Sequence, residues 1–311
     1  MGSDTFSLPV LDRLLTSGRE QRIPVEVVAV VTQPDRAVGR GRTLTSNPVK
    51  DRARRAGVPV LQPERLRDTA AIEQVLAAQP DIVVVASYGQ ILPRVLLETP
   101  EHWALNLHPS LLPRYRGSAP IMAPILAGER VTGSTLMLMA AKMDSGPIIS
   151  QIKTPIGAEE TGGELRARLA DLSAGLLERD LPGWLDGTLM AVPQDETQAT
   201  YTSRIERPDA ELDWTLPAET LTRRIRAFAP RPGAFTIWNG QPVRILRARA
   251  IEGIAPAGYV MDEREGGMTV GTGEGILLVE TLQLPGGRPL PAGAALRGHP
   301  ALLDARFGES S

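Results

Sequence analysis

The sequence predicts a Rossmann-like α/β domain followed by a smaller antiparallel β domain. Over the first two thirds of the 311 residues, apolar runs alternate with helical patterns, which is typical of a parallel sheet covered by helices on both faces. Beyond about residue 203, short apolar runs recur between Gly and Pro residues, which favours a small antiparallel barrel. We therefore predict a doubly wound parallel sheet over 1–203 and an OB-like barrel over 204–311.

The predicted elements of the first domain follow in regular order. The continuous β-branched run at 81–87, DIVVVAS, indicates a strand buried on both faces. Proline at a first helical position opens the segment 48–57, and glycine ends it. Further strands are predicted over 25–31, 58–61, 103–108 and 134–140, and further helices over 7–15, 69–78, 119–127 and 162–186. In the second domain, one helix is expected near 217–227.

The first strand of the sheet is missing from this pattern. The chain begins MGSDTF, and no apolar run precedes the first predicted helix. A doubly wound sheet normally opens with a strand, so the neighbouring strands would carry unpaired backbone groups. We expect the natural start to lie upstream, the alternative being a genuine variant. A version extended by that strand should be more stable.

Composition excludes several classes of function. The formal net charge of -2 is unlike that of a globally basic nucleic-acid binder, so such a role must depend on local patches. The chain has no cysteine, which excludes disulfides and thiolate chemistry. With three histidines, an imidazole metal site is not expected. No apolar run reaches about 18 residues, and we predict a cytoplasmic location.

Polar side chains stand where one predicted strand ends, in the segment NLHPSLLPRYRG. Asn106 and His108 lie two residues apart in an extended segment, so they project from the same face. Ligands bind at the carboxyl ends of strands in open α/β sheets. An amide donor beside an imidazole suits an oxyanion forming on a carbonyl, while the imidazole moves a proton. Asp144, in KMDSGPI, could orient that imidazole or take its proton.

These two segments resemble the signature of the N10-formyltetrahydrofolate-dependent formyltransferases. The resemblance implies that Asn106, His108 and Asp144 handle the attack of an amine on a formyl group, with 10-formyltetrahydrofolate as co-substrate and no metal. SYGQILP at 87–93 is similar to the pterin-side loop of the family, although Ser87 stands where Ala is more usual. The residues expected to bind folate are Ser110, Leu111, Leu112, Pro113, Tyr88, Gly89, Gln90, Ile91 and Leu92.

A basic loop indicates which amine is formylated. Residues 32–55 hold seven basic and two acidic side chains, a local charge of +5. TQPDRAVGRGR within it resembles the loop that family members acting on Met-tRNA insert toward the acceptor end. Arginine binds phosphate bidentately and stacks on unpaired bases, and Arg40 is the contact we expect to matter most. The tRNA-binding residues predicted here are Arg36, Arg40, Arg42 and Lys50.

A second basic stretch lies in the C-terminal domain. Residues 223–249 hold seven arginines and no acidic residue, and segments such as IRAFAPRPGAFT resemble the second domain of the same Met-tRNA enzymes. A barrel with one basic face would serve as a platform for tRNA. Arg223, Arg244 and Arg247 are the predicted contacts.

The sequence therefore predicts formyl transfer from 10-formyltetrahydrofolate to the α-amine of methionine on initiator Met-tRNA, for translation initiation. We expect a monomer with no membrane partner. Whether His108 or Asp144 accepts the amine proton stays open. Two alternatives also remain: a formyltransferase acting on a nucleotide-sugar amine, and a non-catalytic RNA-binding relative.

Overall fold

The computed structural model describes residues 1–38 and 43–308, and the chain divides into two compact units. The first contains Met1–Pro120, Val131–Pro155 and Arg166–Thr202, and the second contains Ile121–Arg130, Ile156–Leu165 and the residues from Ser203 onward. The second unit thus takes two short segments that a single boundary at residue 203 leaves in the first.

The α-helices have the following bounds: α1 (Ser7–Arg19), α2 (Pro48–Arg55), α3 (Thr69–Leu76), α4 (Arg94–Glu98), α5 (Met122–Leu126), α6 (Gly162–Leu185), α7 (Ala218–Phe228) and α8 (Ala292–Gly298). The strands of the first unit are β1 (Val30–Val31), β2 (Arg36–Val38), β3 (Thr43–Thr45), β4 (Val60–Leu61), β5 (Val83–Val85), β6 (Ala104–His108), β7 (Arg116–Gly117), β8 (Val131–Leu138), β9 (Ile148–Pro155) and β10 (Tyr201–Thr202).

Local sequence explains where individual helices begin. The side chain of Asn47 accepts a hydrogen bond from the Lys50 backbone N–H at the start of α2, and Pro48 takes the first helical position. Such an N-cap satisfies a backbone donor that would otherwise lack a partner. The long helix predicted over 162–186 is confirmed as α6.

The sheet of the first unit is mixed, so the predicted parallel sheet is confirmed only in part. β1 pairs in parallel with β4, and β5 with β6, but β8 is antiparallel to β6 and β9 is antiparallel to β8. β9 follows β8 after the short loop 139–147. A parallel neighbour requires a crossover of a dozen or more residues, so this loop imposes an antiparallel hairpin.

The sheet is interrupted where the sequence predicts a missing strand. Of the strand expected over 25–31, only Val30–Val31 is regular. Between this segment and β5, the backbone of Met1–Ser3 makes the connection: the Gly2 N–H donates to the Val31 oxygen at 3.1 Å, and the Ala86 N–H donates to the Met1 oxygen at 3.0 Å. A cavity of about 130 Å³ continues beside them.

The lining of this cavity is almost entirely apolar. Both segments that border the interruption contribute to it, together with side chains of α1. Residues 25–29 have no strand partner in the described structure, and Val28 is 44% exposed. The first unit therefore contains an apolar slot between two sheet fragments, lined by residues that include Val10, Leu14, Val27, Ala29, Ile82 and Val84.

The second unit contains a six-stranded sheet in which every pairing is antiparallel. Its strands are β11 (Phe235–Trp238), β12 (Gln241–Ile251), β13 (Val260–Arg264), β14 (Gly267–Gly271), β15 (Ile276–Gln283) and β16 (Leu290–Pro291), paired in the order β11-β12-β15-β14-β13, with β16 beside β15. Trp214 packs on Phe307 with 5.7 Å between the ring centroids. The prediction of an antiparallel second domain is confirmed.

In the described parts of the chain, no helix is both long and apolar enough to cross a membrane.

Candidate active site

Strand β6 carries two of the predicted catalytic side chains. Leu105 and Leu107 are completely buried, so the alternation of the strand turns Asn106 and His108 to the other face. Asn106 is half-buried, and no group in the described part of the chain hydrogen bonds to its side-chain amide. An amide that is positioned by a strand but not otherwise engaged is free to donate to a ligand.

The hydrogen bonds of His108 determine which ring nitrogen is available. Nε2 lies 3.0 Å from the Tyr115 carbonyl oxygen. A carbonyl can only accept, so Nε2 carries a proton and donates. In a neutral imidazole Nδ1 then holds the lone pair. Nδ1 lies 3.7 Å from Oδ2 of Asp144, which is longer than a hydrogen bond, so an amine N–H placed beside both atoms can bond to either.

Asp144 is held in place by two hydrogen bonds, one to its carboxylate and one to its backbone carbonyl. Its φ is +50°, a conformation that is uncommon outside glycine and persists where the surroundings impose it. The backbone N–H of Gly117 donates to Oδ2 at 2.8 Å. The Asp144 carbonyl oxygen accepts from Nε2 of Gln194, also at 2.8 Å. Two segments distant in sequence thus hold Asp144, one through its carboxylate and the other through its backbone carbonyl.

The segment after His108 contributes mostly structural contacts. Ser110 is fully buried, and its hydroxyl donates to the Arg114 carbonyl at 2.8 Å. Leu112 is 4% exposed, and its carbonyl accepts from Gln151 at 2.8 Å. Ser110 is thus hydrogen-bonded within the protein and Leu112 is buried, and their contact with folate stays a prediction. Leu111 and Pro113 are half-buried.

The predicted pterin-side loop also mixes core and surface residues. Tyr88 is 2% exposed, its hydroxyl has no partner among the described residues, and burial raises its pKa to about 12. Leu92 is equally internal at 6% exposed, whereas Ile91 is 86% exposed. Gln90 accepts from the Leu66 N–H at 2.8 Å. Tyr88 and Leu92 are thus buried and Gln90 is engaged within the protein, and their contact with folate stays a prediction.

Gly89 and Ile91 are the loop positions that remain open to a ligand. Gly89 has a φ of +81°, which is a conformation that glycine adopts without strain. An added Cβ there would lie 2.6 Å from Nε2 of Gln33. Backbone groups of the loop, together with the exposed Ile91 side chain, are what this turn can present.

The first basic loop is only partly described. Arg40 and Arg42 lie outside the described residues. Arg36 is exposed. Lys50 is 7% exposed and forms an ion pair with Asp35, and the hydrogen bond from Lys50 lowers the pKa of the Asp35 carboxyl. The charge of Lys50 is thus buried and balanced by Asp35, and its contact with tRNA stays a prediction.

The second basic stretch is less positive than its sequence indicates. Arg247 pairs with Glu159 at 2.9 Å and with Glu280 at 2.8 Å. Those acids come from other parts of the chain, so counting charges over 223–249 missed them. Arg244 donates to the Pro230 carbonyl at 3.0 Å, and no carboxylate in the described structure pairs with it. Arg223 donates to Thr220 at 3.0 Å.

Two residues near Asp144 were not predicted to matter. Arg116 belongs to the motif RYRG, yet its side chain is fully buried. Gln194 lies 50 residues after Asp144 in sequence and reaches back to it. A buried arginine requires several acceptors, but the sequence gives no indication of which distant residues supply them.

Comparison with known proteins places the chain in a family. The sequence profile described as "Formyl transferase" matches residues 2–181, and "Formyl transferase, C-terminal domain" matches residues 204–300. The chain therefore belongs to the formyl transferase family.

Two curated relatives show what the chain is similar to within that family. It is 44% identical over 314 aligned residues to the methionyl-tRNA formyltransferase of Roseiflexus sp. strain RS-1, an alignment that covers 100% of this chain and 95% of the relative. It is 43% identical to the enzyme of the same name from Halalkalibacterium halodurans, covering 96% and 93%.

A solved structure shares the fold at lower identity. The N-formyltransferase from Helicobacter canadensis, in complex with folinic acid and dTDP-3-aminofucose, superposes with a TM-score of 0.64 at 18% identity, covering 89% of this chain and 96% of the other.

Proposed function

We propose that this protein transfers a formyl group from 10-formyltetrahydrofolate to the α-amine of methionine carried by initiator tRNA. The observation that carries the proposal is the convergence of β6 with the Asp144 loop, where Nδ1 of His108 faces Oδ2 of Asp144 across 3.7 Å. The relatives at 42–46% identity, which are methionyl-tRNA formyltransferases, support the Met-tRNA acceptor over a nucleotide-sugar amine.

The geometry supports a direct transfer between the two substrates. The neutral amine attacks the formyl carbon, and the C–N bond to N10 of the folate breaks as the tetrahedral intermediate collapses. The Asn106 amide donates to the oxyanion while it exists. Nδ1 of His108 accepts the proton that the amine loses and returns it to N10 of the departing tetrahydrofolate, so charge and atoms balance and the imidazole is neutral again.

Asp144 stabilises the protonated imidazole in this scheme. When Nδ1 gains its proton, both ring nitrogens are donors: Nε2–H keeps its bond to the Tyr115 carbonyl, and Nδ1–H can approach the carboxylate. The charged pair forms where His108 is 4% exposed, and Coulomb attraction is stronger there than in open water. Asp144 therefore favours the state that forms as the amine attacks.

The folate would lie beside the catalytic side chains. Leu111 and Pro113, which are half-buried, and Ile91, which is exposed, offer apolar contact to a flat pterin ring. Backbone groups of Gly89 and its neighbours supply hydrogen bonds in this proposal. The remaining loop residues predicted to bind folate act by shaping the loop.

A groove in the second unit supports the tRNA partner. It has a volume of about 830 Å³, and its lining includes Arg207, Arg231 and Arg244 but no acidic residue among the described positions. Arg207 and Arg231 are exposed. Arginine forms paired hydrogen bonds with phosphate oxygens, so the groove suits an RNA backbone. We propose that the antiparallel sheet behind it is OB-like, and that Arg36, Arg40, Arg42 and Arg223 add further contacts.

The acceptor assay tests the whole proposal. Purified protein and labelled 10-formyltetrahydrofolate would be incubated with initiator Met-tRNA, with elongator Met-tRNA and with an amino-sugar nucleotide. We expect label to enter initiator Met-tRNA at a kcat/KM at least tenfold above that for the other two. Preferred labelling of the sugar would establish the alternative acceptor, and binding of tRNA without transfer would establish a non-catalytic protein.

Arg244 and Arg247 provide a matched pair for the tRNA contact. Arg244→Ala should raise KM for Met-tRNA about fivefold or more, because a phosphate contact contributes roughly 1 kcal/mol or more to binding. Arg247→Ala should raise it less than twofold, since Glu159 and Glu280 already balance that charge. The measurement is KM for Met-tRNA in both variants. An equal rise in KM for the two variants would exclude the groove as the tRNA-binding surface.

A further inference from the structure

A hydrogen-bond network around one buried arginine lies next to the Asp144 loop, and the transfer scheme does not use it. Its centre is the guanidinium of Arg116, which is fully buried. Nε and Nη2 donate to Oε1 of Gln194 at 3.1 and 2.8 Å. Nη2 and Nη1 donate to the Glu196 carboxylate at 2.7 and 3.2 Å, and Nη1 also donates to the Tyr201 hydroxyl at 3.0 Å. These bonds account for all five N–H donors of the guanidinium.

Gln194 connects this guanidinium to the catalytic loop. Its oxygen accepts from Arg116, so its amide orientation is fixed and both N–H groups point the other way. They donate to the carbonyl oxygens of Asp144 at 2.8 Å and Gly146 at 2.7 Å. One side chain therefore holds two carbonyls of the turn that carries the Asp144 carboxylate.

The backbone of Arg116 leads to the same carboxylate by a second route. β7 pairs in parallel with β10, with Arg116 opposite Tyr201. The next residue, Gly117, donates its N–H to Oδ2 of Asp144. Arg116 thus fixes the turn through Gln194 and lies next to the donor that fixes the carboxylate.

We propose that Gln194, oriented by Arg116, is a positioning residue that sets the distance between Asp144 and His108; this inference rests on the proposed function. The left-handed backbone of Asp144, at a φ of +50°, is held against its intrinsic preference by these bonds. Without the two amide donors, the turn can relax and move Oδ2 away from Nδ1. A misplacement of about 1 Å at such a site can cost about a hundredfold in rate.

Gln194→Glu is the decisive variant. It keeps the length of the side chain and an acceptor for Arg116, but it places a carboxylate oxygen where both N–H donors stood. We expect kcat to fall about 10- to 100-fold, while KM for both substrates stays within about threefold. Hydrogen exchange at the Gly117 amide should become faster, because its acceptor on Asp144 moves.

Glu196→Gln is the matched control. It removes a charge from the same network and keeps an acceptor for Arg116. Its described links to the catalytic turn are Arg116 and an ion pair to the exposed Lys142, at 3.2 Å. We expect its kcat within about threefold of the native value and unchanged exchange at Gly117. If both variants lose activity equally, the network supports folding in general and the proposal is overturned.

A double variant separates positioning from direct participation. If Gln194 acts through Asp144, adding Gln194→Glu to Asp144→Asn should lower kcat by less than about threefold. A full additional loss would overturn the proposal. The exchange measurement needs no substrate, so unchanged exchange at Gly117 in Gln194→Glu overturns it even if the formyl acceptor proves to be a different amine.

Discussion

At the scale of single residues, the site depends on which nitrogen of His108 is free. The Tyr115 carbonyl accepts a hydrogen bond from Nε2–H, so Nδ1 is the ring nitrogen that can accept a proton. This division of roles follows from hydrogen-bonding chemistry and not from the spacing of Asn106 and His108 alone. At the same scale, Lys50 is buried and pairs with Asp35, so the structure adds no support to its predicted contact with tRNA.

His108→Ala and Asp144→Asn should each lower kcat by about two orders of magnitude or more, as general acid–base groups contribute roughly 10²–10⁴-fold. Neither change removes a predicted tRNA contact, so the affinity for Met-tRNA should survive. Single-turnover formyl transfer and tRNA filter binding would measure the two quantities separately. Loss of tRNA binding in step with kcat would show that the side chains act through folding instead.

At the scale of elements, the short pair of β7 and β10 fixes the catalytic turn. Gly117 has a φ of +110°, and an added Cβ would lie 2.2 Å from the Thr202 carbonyl oxygen. The strand is only two residues long, so it cannot absorb that clash without separating from its neighbour. The hairpin of β8 and β9 carries the Asp144 turn in its loop. Its strands are antiparallel because this loop is too short for a crossover.

Gly117→Ala should destabilise the protein and lower its activity together. The left-handed backbone costs an alanine about 1–2 kcal/mol, and the clash adds to that cost and displaces the donor to Asp144. Gly187→Ala is the matched control, because its φ is +76° and no atom lies within 4 Å of the added Cβ. Urea unfolding and kcat would be measured for both. Similar losses of stability, with full activity in Gly117→Ala, would contradict the role assigned to this turn.

At the scale of the whole molecule, the apolar slot in the first unit is a gap in the packing of the sheet. Unpaired backbone and apolar side chains border a cavity of about 130 Å³, and the Met1 amine donates to the Val84 carbonyl. Burial lowers the pKa of this amine to about 5. A charged group beside an apolar slot is costly, so the folded protein keeps the amine neutral.

Joining about five apolar, β-branched residues to Met1 should fill the slot and raise the melting temperature by about 5 °C or more. Each buried apolar side chain contributes roughly 1.5–3 kcal/mol, and roughly 1 kcal/mol corresponds to a few degrees in a domain of this size. An extension of equal length made of Gly and Ser is the control. The measurement is the melting temperature of the native chain, of the apolar extension and of the Gly/Ser extension. Equal melting temperatures would show that the slot accepts no strand.

The Met1 amine also predicts how stability depends on pH. Its folded pKa is about 5 against an ordinary value of 8.0, so between these values the unfolded chain binds a proton that the folded chain does not. Stability should therefore be fully present above pH 8 and fall as the pH is lowered to 5, by up to roughly 4 kcal/mol. Acetylating the amine should abolish this part of the pH dependence. The free energy of unfolding by urea would be measured from pH 5 to 8 with and without acetylation, and the same pH dependence in both would refute the prediction.

The sequence by itself predicted most of the helices, the projection of Asn106 and His108 from one face of a strand, and a gap in the sheet of the first unit. These features are local, because apolar periodicity, helix caps and the two-residue repeat of a strand each depend on residues close together in the sequence. The antiparallel character of the second unit was predictable for the same reason.

Only the tertiary structure decided which side chains are free. It buried Tyr88 and Lys50, balanced Arg247 with Glu159 and Glu280, and brought Gln194 to the turn that carries Asp144. It also placed β8 and β9 antiparallel in a sheet expected to be parallel. The physical reason is that ion pairs and buried hydrogen bonds join residues far apart in the chain, and their partners are fixed only when strands pair and loops close around them.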